Sequence, residues 1–191
     1  MGKGAQTRAR IIEAAAALFE RQGYAATGLN EVLATSGAPR GSLYYHFPGG
    51  KEELAAAVVD RHAEQFGDML TAVLASPAAL LPAATRAIEL MAERIDGAQE
   101  PCDAGCPVAN VALEMAGRSE DLQRATRAAF EGWVAQITAL LTRDGFAEDD
   151  AARRARALLS AIEGALILSR SYGDSSPLDD VIHVLPMLLS R

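Results

Sequence analysis

The chain has 191 residues, half of them apolar, which is enough for one ordinary domain or a small one joined to a larger one. Its net charge of -7 argues against a nucleic-acid partner, but residues 1–51 carry six basic and three acidic side chains while the remainder carries twelve and twenty-two. Such a split is the mark of a small polyanion-binding module on a larger acidic body, unless surface charge has clustered by chance. Export and membrane signals are missing: Glu13 interrupts the early stretch IIEAAAALF, no small-residue cleavage pattern follows, and Gln6 stands where a myristoylation pattern needs Ser or Thr. The longest uncharged run, Met69 to Thr85, is 17 residues and contains Pro77 and Pro82, so it is short and broken for a membrane span. The expectation is a soluble, cytoplasmic protein with no membrane partner.

Helical period runs through the chain, and no strand-like alternation or repeat accompanies it, so the predicted fold class is all-α. Thr7 is expected to cap a first helix with Ile11, Ile12, Ala15, Leu18 and Phe19 on its inner face and a stop at Gly23. A short second helix follows Thr27, carries Leu29, Val32 and Leu33, and ends at Gly37. A third begins with Pro39, suited to a first helical turn, and halts before Pro48. Longer helices are predicted from Lys51 to about Leu74, Leu80 to about Asp96, Val108 to Gly117, Ser119 to about Asp144, Glu148 to about Tyr172, and Pro177 to Leu189. Acidic first turns at Glu120 and Asp121, and at Glu148 to Asp150, support two of these starts. Residues 97 to 107 form the one long irregular stretch.

The third helix, within GSLYYHFPGGK at residues 41–51, is unusual. On a helical wheel Leu43 and Phe47 share the inward face, while Gly41, Ser42, Tyr45 and Ala38 fall opposite, flanked by Tyr44 and His46. An interior helical glycine costs about 1 kcal/mol relative to alanine, a cost that makes sense where another surface approaches the backbone. The DNA major groove admits one helix. Tyrosine and histidine then donate to phosphate oxygens, Arg40 adds charge, and Lys51 gives one more phosphate contact. Two short helices joined at Ser36–Gly37–Ala38, the second aromatic and basic, make a helix-turn-helix. An ordinary three-helix packing unit is the plainer alternative.

The run from Thr7 to Leu54, with RIIEAAAALFERQGYAATGLNEVLATSGAPRGSLYYHFPGGKEEL, resembles the DNA-binding domain of TetR-family transcriptional repressors. The family pattern is met by Gly23, Tyr24, Thr27, Ala34, Ser36, Gly37, Gly41, Ser42, Leu43, Tyr44, His46 and Phe47. The resemblance implies a helix-turn-helix domain over residues 1–54 and a helical effector-binding and dimerisation domain over 55–191. It implies that Thr27 caps the second helix near a phosphate, that Arg40, Ser42 and Tyr45 lie against base edges beside Gly41, and that Tyr44, His46 and Lys51 anchor the DNA backbone. Pro39 stands where the family commonly has Ser or Thr. The Pro-Gly-Gly turn is one residue longer than in many members, a form associated with a branch resembling lincomycin-resistance-type repressors.

A dimer seam is expected in the last two long helices. Their apolar stripes include Leu158, Leu159, Ile162 and Leu166 in one and Ile182, Leu185 and Leu189 in the other. These suit a four-helix seam made by two chains, although burial within one chain gives the same pattern. Met91, Met115, Phe130, Trp133 and Ile137 are the residues expected to line an adaptable apolar cavity, against the plainer reading as core. No dense charged cluster marks the body, so the expected effector is a small apolar or aromatic molecule. Cys102 and Cys106 supply two of the four ligands a structural zinc wants, with no histidine nearby. They are read as free thiols, with a redox or electrophile sensor as the alternative, and neither a metal site nor a cofactor is expected.

No nucleotide-binding, zinc-protease or serine-hydrolase motif is present, and the three histidines are far apart in sequence. The catalytic set is therefore empty and the chain is not expected to be an enzyme, a Cys106–His hydrolase being the weak alternative. The function expected is a ligand-responsive repressor that binds a palindromic operator in double-stranded DNA as a homodimer and is released by its effector. A nucleoid or occlusion factor is the other DNA-binding possibility, and activation instead of repression stays open.

Overall fold

Helix is the secondary structure realised throughout the computed structural model, which describes residues 2–75, 79–97 and 105–190. Among them the chain forms α1 (Lys3–Gln22), α2 (Leu29–Ser36), α3 (Arg40–His46), α4 (Lys51–Ala75), α5 (Leu80–Asp96), α6 (Pro107–Met115), α7 (Glu120–Arg143), α8 (Glu148–Tyr172) and α9 (Ser176–Leu188). Residues 98–104 of the predicted irregular stretch, Cys102 among them, lie outside the described residues. No described helix is long and apolar enough to cross a membrane.

Several ends differ from the sequence reading for local reasons. α1 starts at Lys3 with Gly2 as its cap, and Thr7 lies inside the helix with its hydroxyl donating to the Lys3 carbonyl at 3.0 Å. A threonine that satisfies itself on the preceding turn has no need to terminate the helix. Pro39 is extended and precedes α3, with the Ser42 N–H donating to its carbonyl at 2.9 Å. Ala38 is therefore not on the helix: it is buried in the turn, its N–H donating to Ser36 Oγ at 3.3 Å.

The described contacts gather into two units. The first comprises residues 1–63 and 106–129. Here α1 packs on α2, α3 and α6, and its predicted inner face, Ile11, Ile12, Ala15, Leu18 and Phe19, is buried throughout. Glycines of positive φ end α1 and α2, Gly23 (φ 85°) and the left-handed Gly37 (φ 61°), and a side chain resists either conformation. At the start of α7, Ser119 Oγ accepts the Leu122 N–H at 3.1 Å, so this hydroxyl caps as its position suggests.

The second unit comprises residues 64–105 and 130–191. In it α9 packs on both α8 and α5, and the Asp96 carboxylate at the end of α5 accepts from the Ser175 N–H at 3.2 Å and hydroxyl at 2.9 Å. Arg154 links α8 to the end of α9, donating to Asp150 at 2.6 Å and to the Leu188 carbonyl at 2.6 Å while lying 5.0 Å from the centre of the Phe146 ring. Trp133 is buried between Phe66, 4.7 Å away, and Phe130, 5.4 Å away. Leu185 of α9 has no exposed surface within one chain. Leu185→Ala should therefore lower the unfolding free energy by about 2–5 kcal/mol. Urea denaturation checks this, and a loss well under about 1 kcal/mol would mean that the site is loosely packed.

Candidate nucleic-acid interface and apolar cavity

The sequence of α3 puts two anchors on one side and leaves the rest outward. Leu43 and Phe47 are both fully buried, whereas Tyr45 is 81% exposed, Tyr44 48% exposed, and Arg40 and Gly41 exposed. Ser42 and His46 are half-buried. A Cβ built on Gly41 meets nothing within 4 Å, so nothing inside the fold requires glycine there. The rings of Tyr45 and His46 meet edge to face at 5.0 Å. The first turns of α1 close the other end of this helix: the Arg8 guanidinium lies 5.2 Å from the centre of the Phe47 ring, and His46 Cε1 lies 3.9 Å from a Cβ built on Gly4. Sequence reasoning did not connect these α1 residues to α3, because nothing local signals that packing.

Lys51 starts α4 after a tight turn. The Gly50 N–H donates to the Phe47 carbonyl at 2.9 Å, and the Glu53 carboxylate accepts the Gly49 N–H at 2.7 Å, which is the helix-start chemistry of a carboxylate in the first turn. The Lys51 ammonium donates to the Ala25 carbonyl at 3.2 Å and lies 4.3 Å from the centre of the Tyr24 ring. Burial pushes its pKa below the ordinary lysine value, with Glu114 acting the other way. Burial first, then the charges of Glu52 and Glu114, push the Tyr24 phenol above the ordinary tyrosine value. Ser119 Oγ donates to Glu52, which ties the start of α7 to the start of α4.

Thr27 differs from its expected role. Gly28, not Thr27, precedes α2 as its cap, and no side chain caps that helix. Thr27 is 1% exposed and its hydroxyl donates to the Gly23 carbonyl at 2.8 Å while Gln22 Nε2 donates to it at 3.4 Å. Its hydroxyl is occupied in holding the turn between α1 and α2.

In the second unit a cavity of about 50 Å³ is lined wholly by apolar side chains, from α4, α5, α7 and α8 and from Leu189 just after α9. Met91 and Ile137 line it, as do Phe66 and Leu70, which the sequence reading did not single out. Phe130 instead lines an open groove of about 1080 Å³ between α7 and α8. Trp133 is core, and Met115 ends α6 within the first unit. Leu158, Ile162 and Leu189, read from sequence as dimer residues, also line the cavity. Leu158, Leu159, Ile162 and Leu185 are buried within one chain, and Leu166, Ile182 and Leu189 are half-buried. The large apolar side chains left exposed near the end of α8 and on α9 are Ile167, Leu168, Tyr172 and Met187. Cys106 is buried at the start of α6, its sulfur accepting the Ala109 N–H at 3.4 Å. Among the described residues, no group of three or more His, Cys, Asp or Glu is placed to hold a metal ion.

Residues 11–58 match the family model described as bacterial regulatory proteins, tetR family, and residues 81–184 match the transcriptional regulator LmrA/YxaF-like C-terminal domain. The chain is 34% identical over 188 residues to the HTH-type transcriptional regulator LmrA of Bacillus subtilis, covering 97% of both chains. Among solved structures it resembles a TetR transcriptional regulator from Chloroflexus aurantiacus, with 30% identity, a TM-score of 0.80 and coverage of 98% of this chain and 96% of the other. The fold is shared also with a TetR transcriptional regulator from Legionella pneumophila, at 22% identity, a TM-score of 0.85 and coverage of 95% and 96%.

Proposed function

Because this chain belongs to the TetR family of transcriptional regulators, we propose that it is a ligand-responsive repressor that binds a palindromic operator as a homodimer. Residues 1–54 form its DNA-binding part, and residues 55–191 bind the effector and make the dimer. The observation that carries the reading is the outer face of α3: Arg40, Gly41, Tyr44 and Tyr45 stand exposed beside the half-buried Ser42 and His46. Gly41 supports it further, since the open space at its missing Cβ leaves room for a base edge or sugar to approach the backbone. Arg40, Ser42 and Tyr45 face bases, while Tyr44, His46 and, once it leaves the Ala25 carbonyl, Lys51 hold phosphates. Thr27 acts from inside, by bracing the turn that precedes α2.

One α3 covers a half-site, so a two-fold dimer is needed to read a palindrome whose half-sites lie about 34 to 36 Å apart. With Leu158, Leu159, Ile162 and Leu185 packed inside one chain, the seam is drawn from the exposed Ile167, Leu168, Tyr172 and Met187, together with the half-buried Leu166, Ile182 and Leu189. The effector is small and apolar or aromatic, because the cavity presents no polar side chain to it. Met91, Met69 and Phe66 are the adaptable part of that wall, and a volume of about 50 Å³ means that these side chains must shift to admit a drug-sized molecule. α4 is the lever of release, one continuous helix running from Lys51 to the cavity residues Phe66 and Leu70. An effector that prefers the released state by about 1 to 3 kcal/mol lowers operator affinity about 5- to 150-fold.

Three outcomes are expected. Tyr44→Phe combined with His46→Ala should weaken binding to specific and shuffled duplexes alike and reduce the slope of affinity against salt; an unchanged salt titration by fluorescence anisotropy would remove both residues from the phosphate contacts. Leu168→Glu should give monomers with much weakened operator binding. A dimer that survives both Leu168→Glu and Met187→Glu in sedimentation velocity would move the seam elsewhere. Calorimetry with an aromatic compound found to release DNA should show weaker compound binding when operator is present, by the same factor that the compound weakens operator binding. Equal compound affinity in both states would mean that the cavity is not a sensor for that compound.

A further inference from the structure

Glu114 on α6 has no part in the contacts described so far with DNA, effector or partner, yet it is tied to the DNA-binding part at two main-chain groups. Its carboxylate accepts the Tyr24 N–H at 3.0 Å and the Ala25 N–H at 2.5 Å. One turn earlier on the same face of α6, Asn110 Nδ2 donates to the carbonyls of Phe19 at 2.9 Å and Glu20 at 3.4 Å. α6 therefore grips the end of α1 through both polarities, at carbonyls of its last turn, where the Phe19 carbonyl also accepts the Gly23 N–H at 3.1 Å, and at the first N–H groups beyond it. Gly23 completes the fit, because a Cβ there would collide with Glu114 Oε1. The segment held this way leads directly to Thr27 and α2, and the Ala25 carbonyl is the group that holds the Lys51 ammonium.

We propose that Glu114, seconded by Asn110, is a positioning residue for DNA binding: it fixes the junction between α1 and α2, and with it the helix-turn-helix, without touching DNA. This inference rests on the DNA-binding function proposed above. Charge gives it a sign that can be tested. A carboxylate near a phosphate-binding face opposes DNA, so the electrostatic consequence of removing it alone is tighter binding. As a positioning residue its removal has the opposite effect. The junction then samples other arrangements, and apparent affinity falls in proportion to the time spent in the competent one, about tenfold if that fraction drops to about a tenth. Gln at this position keeps one acceptor oxygen for two N–H groups and loses the charge assistance, so it falls between Glu and Ala.

The experiment uses the full chain to enrich a duplex from random-sequence DNA. Affinities of wild type, Glu114→Ala and Glu114→Gln for that duplex and for a shuffled one are then measured across a salt series. The expected result is binding by Glu114→Ala about tenfold weaker, Glu114→Gln intermediate, wild-type circular dichroism, and an unchanged salt slope, because no phosphate contact is lost. Equal or tighter binding by Glu114→Ala overturns the proposal, as does weaker binding accompanied by a lower salt slope. If Glu114→Ala does not fold, Glu114→Gln carries the same comparison. Amide hydrogen exchange decides independently: the Tyr24 and Ala25 amides should be protected in wild type and lose part of that protection in Glu114→Gln, which keeps one acceptor oxygen for the two, whereas exchange at open-chain rates in wild type overturns the latch. A wild-type chain that enriches no duplex fails the DNA-binding function itself and leaves the exchange measurement to judge Glu114.

Discussion

A seven-residue helix does not hold its shape in water on its own, and α3 is that short. What keeps it in place is the burial of Leu43 and Phe47, the first and the last of a pair one turn apart, both without exposed surface. The outer face of α3 depends on those two side chains, because they set which way Arg40, Gly41, Tyr44 and Tyr45 point. The same constraint explains why α1 is long and rich in small apolar residues. It is the surface against which α2, α3 and α6 are packed.

Around this apolar anchor lies a second layer made of polar groups. Thr27, Gln22 and Glu31 hydrogen-bond among themselves beneath the turn, Lys51 caps the Ala25 carbonyl, and α6 closes the end of α1. Each uses a side chain to satisfy a main-chain group or a neighbour that the turn would otherwise leave without a partner. Hydroxyls and amines commonly associated with DNA contact are thereby engaged within the protein. For Lys51 this engagement is modest, an exposed hydrogen bond and a ring face, so a phosphate can compete for it; for Thr27, fully enclosed, it cannot.

In the second unit the same apolar residue serves more than one surface. Leu158, Ile162 and Leu189 line the cavity although their spacing also fits a seam between helices. Helical periodicity reports only that a face is covered, not by what. Leu168 and Met187, both exposed, do not follow from the apolar stripe, because each stands two residues beyond a stripe residue, Leu166 and Leu185, and so about 200° around the helix from it.

The sequence by itself determined the all-α class, the positions of the helices to within a few residues, the helix-turn-helix and its two anchors, and the regulator family, the last through the residues from Thr7 to Leu54. These are legible because they depend on local spacing: a period of 3.6, glycines where a left-handed turn is needed, and a short motif with an unusual outward face. Only the tertiary structure decided that Thr27 turns inward, that Ala38 is buried in the turn, that Met115 belongs to the first unit while Met91 and Ile137 line a cavity of the second, and that Glu114, some ninety positions along the chain, grips the α1–α2 junction. The reason is physical. A hydrogen bond between distant segments has no periodicity and no composition, and leaves no trace in the sequence until the chain brings its two ends together.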